Sequence, residues 1–371
     1  MAEKMDWKRD LERVVRINSH TRNKRGVDAV GAVFAEWLEA LGYETRRHER
    51  ELIGDHLHFV APSGGREKIL LLGHLDTVFP SGSFEGWRED DEWVYGPGVC
   101  DMKGGNVVAL EALRAVREAT GGIEDVDVLL VSDEETGSDD SKMLTSELAK
   151  EYDKCFVFEA AGPNMEVVVG RKGIGTFEIA IEGKAAHAGT SYAKGVDANL
   201  EAAYKLQKLV AMTDLAKGST VNVGKIEGGI GANTISPHAK LLLELRYADH
   251  KEKERLMAGL EEAVCTAWVE GTHARLSGQI QRDVMEPNAW QRELIAAMER
   301  ISGQKLPTER RGGVSDANIV AAAGVVTLDG LGPYGDGDHT PKERALKKSF
   351  DERIELMTKV LLHHQKEGKI A

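Results

Sequence analysis

Cysteine and long apolar runs are both scarce in this sequence. The three cysteines, Cys100, Cys155 and Cys265, are odd in number, far apart and without Cys-x-x-Cys spacing. They indicate neither a disulfide framework nor a thiolate zinc site, and a reducing compartment fits them best. No apolar run approaches the roughly 18 residues that a membrane span needs, and "MAEKMDWKRDLERVV" lacks the apolar core of a secretory signal. We therefore expect a cytoplasmic protein that does not bind membranes.

Positive charge is also in deficit. Lysine and arginine number 48 against 61 aspartates and glutamates, which gives a formal net charge of −13. This balance argues against a nucleic-acid partner, because phosphate contacts need a basic surface. Small molecules and peptides remain as partners. The length of 371 residues suggests two domains.

The first part of the chain alternates buried strands with helices. Residues 7–42 predict two amphipathic helices, and "GGNVVALEALRAVRE" (104–118) predicts another. Continuous apolar runs predict strands over 68–76, 126–135 and 154–162. Continuous apolar strands alternating with helices are typical of an α/β domain with a mostly parallel sheet covered on both faces.

A different pattern occupies residues 173–285. The order of predicted elements there is strand, helix, strand, strand, helix, strand, which is the ferredoxin-like α+β unit. One face of its sheet is predicted to be polar, since Glu244 and Arg246 alternate with apolar residues. The α/β pattern then returns, so we expect a discontinuous catalytic domain, 1–172 and 286–371, with an inserted domain at 173–285.

Potential metal ligands follow three predicted strands where each strand ends. They are His74 and Asp76, then Glu134 and Glu135, then Glu159. Because ligands bind outside the carboxyl ends of strands in open α/β sheets, these side chains should converge on one crevice. In "VDVLLVSDEETGS", adjacent carboxylates at the end of a buried strand stay ionised only if solvent or a cation compensates their charge.

Two glycine-rich loops add further ligands. Asp101 lies in "GPGVCDMKGGN" and His339 in "GLGPYGDGDHTP". Two histidines and three of these five carboxylates would form a ligand set that suits zinc, or cobalt or manganese. Five ligands would serve two cations about 3.5–4 Å apart, and one of the neighbouring glutamates would be left to act as a base. Taken singly, each motif is more commonly a solvated surface feature. Their agreement at three strand ends favours metal binding.

Six motifs, in order, resemble one known family over nearly the whole chain. They are "GHLDTV", "GPGVCDMKGG", "DEETGS", "FEAAG" with "VVGRKG", "AAHAG" and "GDHTP". The family is that of the co-catalytic zinc metallopeptidases, which includes succinyl-diaminopimelate desuccinylase, aminoacylase and glutamate carboxypeptidase. The sequence is most similar to the glutamate carboxypeptidase branch.

The resemblance implies a role for each residue of the site. Asp101 would bridge two zinc ions, one also bound by His74 and Glu159 and the other by Glu135 and His339. It further implies that Asp76 orients the imidazole of His74 and that Glu134 is the general base. A cis peptide bond between Asp101 and Met102 is also typical of the family.

The resemblance extends to the substrate side and to assembly. His187 in "AAHAG" resembles a histidine that reaches in from the inserted domain of a partner subunit and stabilises the tetrahedral oxyanion, which implies a homodimer. A structural turn histidine is the alternative for His187. The resemblance implies that Arg246 holds a substrate carboxylate and that Asn233 contacts the substrate carboxylate or the oxyanion. Gly313 and Ser315 would line the same pocket. Pairing with a glutamate on a neighbouring strand is the alternative for Arg246.

Three positions depart from the family pattern. Cys100 stands where alanine is common, and we interpret it as a small buried residue. Asp336 and Asp338 flank His339 where glycine or alanine is usual. Their charge argues against an acidic side chain on the substrate unless both carboxylates point to solvent.

These interpretations predict a di-zinc metallohydrolase that cleaves an amide bond next to a free-carboxylate amino acid. The first prediction is carboxypeptidase action that releases a residue such as glutamate. The alternative is action on N-acyl amino acids or dipeptides. Two other classes are weaker. A metal-binding protein without turnover conflicts with the intact base Glu134, and a nucleotide-binding protein would need a Walker lysine motif that the sequence lacks.

Overall fold

Apolar strands and amphipathic helices alternate along the chain in the computed structural model of the protein, which describes residues 6–371. The helices are α1 (Trp7–Val15), α2 (Lys24–Ala40), α3 (Lys103–Thr120), α4 (Ser141–Ala149), α5 (Ala198–Val210), α6 (His250–Cys265), α7 (Ala289–Ser302), α8 (Ala317–Ala322) and α9 (Lys347–Glu367). Short 3₁₀ turns lie at Glu134–Thr136, Tyr192–Lys194 and Leu215–Lys217.

The strands follow in the same chain order. They are β1 (Glu44–His48), β2 (His56–Val60), β3 (Ile69–His74), β4 (Arg88–Glu89), β5 (Trp93–Tyr95), β6 (Val126–Val131), β7 (Lys154–Val157), β8 (Val167–Arg171), β9 (Gly173–Glu182), β10 (Thr220–Gly228), β11 (His238–Tyr247), β12 (His273–Arg282), β13 (Thr308–Arg311), β14 (Val326–Leu328), β15 (Gly335–Asp336) and β16 (Arg344–Leu346).

The chain forms two units. The first extends to Gly170 and resumes over Pro287–Arg311 and Ser315–Ala371, and the second comprises Arg171–Glu286 with Gly312–Val314. Each unit has its own hydrophobic core.

The first unit is built on a six-stranded sheet in the order β1-β2-β6-β3-β7-β14. β3, β6, β7 and β14 run parallel, whereas β1 and β2 are antiparallel to their neighbours. All six residues of β3 are buried, because both faces of the central strands are covered. The parallel register brings the carboxyl ends of β3, β6 and β7 to one edge of the sheet. This mostly parallel α/β architecture confirms the predicted fold class.

Close packing at the start of α3 depends on glycine. A Cβ atom on Gly105 would lie 1.8 Å from the carbonyl oxygen of Phe158. Only a residue without a side chain therefore lets the first turn of α3 approach the segment that follows β7. The first turn of α3 therefore lies directly against Phe158, the residue that precedes Glu159.

The second unit is an antiparallel four-stranded sheet in the order β10-β11-β9-β12, packed with α5 and α6. With the chain order β9-α5-β10-β11-α6-β12, this is the ferredoxin-like topology that the sequence predicted. β11 alternates between its buried core face and a more exposed face, which carries Glu244 and Arg246. None of the helices within residues 6–371 is long and apolar enough to cross a membrane.

Candidate metal centre

The ends of three parallel strands supply the side chains of the centre. His74 is the last residue of β3, Glu134 and Glu135 lie in the 3₁₀ turn that follows β6, and Glu159 comes two residues after β7. These strands are neighbours in the sheet order, so their ends meet at one edge. All belong to the first unit, as do Asp101 and His339.

Asp101 lies between the two histidines. Its Oδ1 is 3.2 Å from Nε2 of His74, and its Oδ2 is 3.1 Å from Nε2 of His339. The two oxygens of one carboxylate therefore face two different imidazoles.

Each histidine also has a second carboxylate beside it. Oε2 of Glu135 is 3.2 Å from Nε2 of His339, and Oε1 of Glu159 is 3.8 Å from Nε2 of His74. Ligand atoms of His74, Asp101 and Glu135 all lie within 4.8 Å of one another. The residues thus form two half-sites that share Asp101. Each half-site has, besides Asp101, one imidazole and one carboxylate of its own.

The electrostatics of the centre favour a cation. Burial and the charge of Asp101 raise the pKa of Glu135 to about 8, and the same two causes raise the pKa of Glu159 well above its usual value. Hydrogen bonds with Asp101 and Glu135 raise the pKa of His339 to about 11. These raised pKa values favour the protonated form of side chains that lie close together in the candidate centre. Because metal ions replace such protons, nitrogen and carboxylate donors in this setting fit divalent cations.

Asp76 organises the residues around it. Nδ1 of His74 is 3.0 Å from the backbone carbonyl oxygen of Asp76 and 3.3 Å from its Oδ1. The carboxylate also accepts the backbone N–H groups of Glu134 and Glu135, each at 3.3 Å. The hydroxyl of Thr21 donates to the same carboxylate at 2.6 Å. Since Asp76 holds Nδ1 of His74, Nε2 is directed toward the centre. One buried carboxylate therefore positions a histidine and the turn that carries both glutamates.

Glu134 is half-buried beside the ligand set. Its charge contributes to the raised pKa values of both Glu135 and Glu159, which places its carboxylate near the ligands of both half-sites. A carboxylate at this position is suited to accept a proton from a water molecule in the centre.

Glu343 is a residue of the site that the sequence analysis missed. It is fully buried, and its carboxylate accepts the backbone N–H groups of Gly98, Cys100 and Asp101 at 3.0, 3.0 and 3.1 Å. Burial and the charge of Asp101 raise its pKa to about 7. Glu343 therefore fixes the backbone of the loop that presents Asp101.

The departures from the family pattern have local explanations. Cys100 is fully buried, and burial together with Glu343 raises the pKa of its thiol, so it is a small core residue and not a thiolate ligand. Asp336 accepts two hydrogen bonds from Arg344, at 2.8 and 3.0 Å, which neutralise its charge locally. Asp338 is exposed. The peptide bond between Asp101 and Met102 is cis, as the resemblance implied.

His187 and Asn233 lie on paired segments of the second unit. The backbone N–H of Ala188 donates to the carbonyl of Asn233 at 2.9 Å. The side chains of His187 and Asn233 are both exposed. Nδ1 of His187 accepts from the N–H groups of Gly189 and Thr190, at 3.1 and 3.2 Å. The proton of the neutral ring therefore lies on Nε2, where it is available for donation.

Arg246 contacts the segment Gly312–Val314 of the second unit, and Gly313 belongs to that segment. Arg246 donates to Glu244 on its own strand at 2.7 Å and to the carbonyl of Gly312 at 3.0 Å. Gly313 is exposed, and its carbonyl accepts from Arg171 at 3.1 Å. Ser315 belongs to the first unit instead, where it is buried and its hydroxyl donates to Asp329 at 2.8 Å.

Comparison with known proteins defines the class to which this fold and site belong. The sequence model for "Peptidase family M20/M25/M40" matches residues 70–363. Carboxypeptidase G2 from Pseudomonas sp. (strain RS-16) is 30% identical over 344 residues, which cover 90% of this chain and 82% of that protein. Succinyl-diaminopimelate desuccinylase from Afipia carboxidovorans is 27% identical over 90% of this chain and 93% of that protein.

A solved structure shares the fold. The YXEP protein of Bacillus subtilis, a dinuclear metal binding peptidase, superposes with a TM-score of 0.71 over 96% of this chain and 97% of that one, at 13% identity. Family and relatives define an enzyme of the metallopeptidase and amidohydrolase class. The chain belongs to peptidase family M20/M25/M40. The resemblance predicted from the motifs is thereby confirmed.

Proposed function

We propose that the protein is a dinuclear metal-dependent carboxypeptidase that releases a C-terminal amino acid, such as glutamate, from a small peptide or an N-acyl amino acid in the cytoplasm. The observation that carries this proposal is the position of Asp101, whose two carboxylate oxygens each face one histidine. A carboxylate that is shared in this way fits a pair of cations better than a single one.

Two zinc ions are the proposed cofactors, with cobalt or manganese as alternatives. Asp101 would be shared, His74 and Glu159 would complete one half-site, and Glu135 and His339 the other. When bound, the metals would supply Lewis acidity, which polarises the amide carbonyl and acidifies a water molecule.

The residues of the chain then move the protons. Glu134 would accept the proton of the attacking water and deliver it to the leaving amine, because it lies beside both half-sites and outside the ligand set. Asp76 would keep Nε2 of His74 directed at the centre throughout.

The inserted domain would recognise the substrate carboxylate. Arg246 already donates to Glu244 and Gly312, and its remaining N–H groups would bind the substrate carboxylate. Asn233 and Gly313 are further proposed contacts. Ser315, which is buried in the first unit and bound to Asp329, remains a prediction from the sequence. The likeness to carboxypeptidase G2 supports release of a C-terminal residue. The desuccinylase relative favours the second candidate, hydrolysis of an N-acyl amino acid by the same residues.

A homodimer through the inserted domain is part of the proposal. Leu200 and Tyr204 lie one turn apart on α5 and are exposed by 44% and 42%, and β10 is an edge strand with Ile226 exposed by 53%. Such an apolar helix face next to an open strand edge suits pairing with a second copy. His187 would then donate its Nε2 proton to the oxyanion in the active site of the partner.

Replacement of Glu134 tests the mechanism. We expect Glu134→Gln to lower kcat by about 10²–10⁴-fold while the bound metal is retained, because the amide keeps the shape but cannot accept the proton. Amino-acid release from N-acyl glutamates, N-acetyl amino acids and dipeptides would be measured beside metal analysis. Glu147→Gln, an exposed change, is the matched control. Unchanged release by Glu134→Gln would refute the base, and metal-independent release would refute the proposed function.

A further inference from the structure

A cavity of about 560 Å³ in the first unit has a wall of aromatic and cationic side chains. Its lining includes Phe84, Trp87, Arg88, Tyr95, Lys342 and Arg344. We call it the aromatic pocket. Its volume lies within the range of about 300–1,000 Å³ that is typical of small-molecule sites.

The carboxylates of the aromatic pocket already have partners. Asp336 accepts two hydrogen bonds from Arg344. Glu85 accepts from the hydroxyl of Ser81 at 3.1 Å and from the backbone N–H of Gly82 at 2.7 Å. The charge of Asp336 is therefore neutralised by Arg344, whereas Glu85 keeps its charge and is held by neutral donors.

Two cations in the same wall have no such partner. Within residues 6–371, neither the Arg88 guanidinium nor the Lys342 ammonium has a carboxylate within ion-pair distance, whereas Arg344 in the same wall pairs with Asp336. Both side chains are exposed. The aromatic pocket consequently offers positive charge with unused donors, which favours an anionic ligand.

The flat side chains indicate the shape of that ligand. The Arg88 guanidinium lies 3.5 Å from the ring centroid of Tyr95, and Arg344 lies 4.0 Å from that of Trp93. Stacking holds Arg88 at the pocket wall without neutralising its charge. Phe84 and Trp87 add aromatic surface, against which a planar group packs well.

We propose that the aromatic pocket binds an aromatic group that carries a carboxylate or a similar anion. Lys342 lies three residues after His339 in the loop before β16, so the wall of the pocket continues from the candidate metal centre along the chain. The anion would lie between Arg88 and Lys342 while its ring packs against Trp87. The ligand has two possible sources, the acyl end of a substrate under the proposed function or a separate effector.

Calorimetric titration of the metal-loaded protein with naphthalene-2-carboxylate tests the assignment. We expect saturable binding that Arg88→Gln and Lys342→Gln each weaken about tenfold, as for one lost charge-assisted hydrogen bond. The neutral naphthalene-2-carboxamide should bind the unaltered protein about tenfold more weakly. Lys348→Gln, an exposed lysine outside the pocket, should change nothing.

Three results would overturn the proposal. The first is no binding of naphthalene-2-carboxylate at millimolar concentration, and the second is equal binding of the acid and the amide. The third is binding that a chelator abolishes but that Arg88→Gln and Lys342→Gln leave unchanged, because the anion would then bind to the metals. Where the acid binds, competition with an active N-acyl amino acid substrate would assign the pocket to the acyl end. Binding without competition would assign it to an effector. Because binding is measured directly, a failure of the proposed function would appear as missing turnover and leave this test intact.

Discussion

Asp76 contacts three residues of the candidate metal centre, because its carboxylate lies beside His74 and accepts the backbone N–H groups of Glu134 and Glu135. We expect Asp76→Asn to weaken zinc binding by about 10–100-fold, because the amide no longer provides the charge that fixes the imidazole. Competition with a chromophoric chelator measures this affinity. Asp214→Asn, an aspartate in the other unit, is the control, and equal affinities for all three proteins would contradict the assigned role.

Individual residues also show how far the sequence could predict the site. His74, Asp101 and His339 follow from motifs and strand ends, because each lies where a local pattern breaks. Glu343 could not be found in this way. Its partner Cys100 is 243 residues away, and a glutamate in "HTPKERA" resembles any surface charge until the loop packs against it. Likewise, the neutralisation of Asp336 by Arg344 depends on the pairing of β15 with β16.

At the level of elements, long apolar strands were predictable and short or polar ones were not. β3 and β6 follow from continuous apolar runs, which only burial on both faces explains. β1, with the sequence ETRRH, has no apolar alternation, and β4 and β15 contain only two residues each. Such strands form because neighbouring strands supply hydrogen bonds, and a local pattern does not carry that information.

The β1–β2 connection provides a prediction about stability. Asp55 accepts from Lys24 at 2.7 Å, from the N–H of Arg50 at 2.9 Å and from Arg47 at 3.0 Å. Burial alone would raise the pKa of Asp55, but these partners outweigh it and lower the pKa to about 2, from 3.8 in an unfolded chain. A lowered pKa means that the ionised carboxylate stabilises the fold above about pH 4, and that this contribution is lost as the pH falls toward 2.

We therefore expect Asp55→Asn to lower the free energy of unfolding by about 1–3 kcal/mol at pH 7. The difference from the unaltered protein should narrow at pH 3, because Asp55 is then largely protonated in the unfolded chain and ionising it on folding costs part of the stabilisation. Urea denaturation at the two pH values measures it, with the exposed Asp91→Asn as control. A difference of the same size at both pH values would exclude the carboxylate charge as its cause.

At the scale of the whole molecule, the proposed dimer makes a prediction that separates assembly from folding. We expect Leu200→Glu combined with Tyr204→Glu to yield monomers, because charges on the exposed face of α5 would oppose a second copy. Sedimentation velocity measures the mass, and kcat should fall with it, since each active site would lose His187 of its partner. Met143→Glu, an exposed apolar residue in the first unit, is the control. A monomeric unaltered protein with full activity would contradict the dimer.

The discontinuity of the first unit has a consequence for how the protein is made. Residues 171–286 of the second unit are contiguous, whereas the first unit still lacks His339 and α9 when residue 286 leaves the ribosome. α9 joins the C-terminal part of the first unit to its N-terminal part. His364 is hydrogen-bonded to the carbonyl of Glu67, and Gln365 donates to the carbonyl of Glu124. At about 5–20 residues per second, translation of residues 287–371 takes roughly 4–17 s. Throughout that interval the nascent chain carries residues 171–286 of the second unit, while the first unit lacks His339 and α9. We therefore expect the proposed metal centre to be completed only after translation.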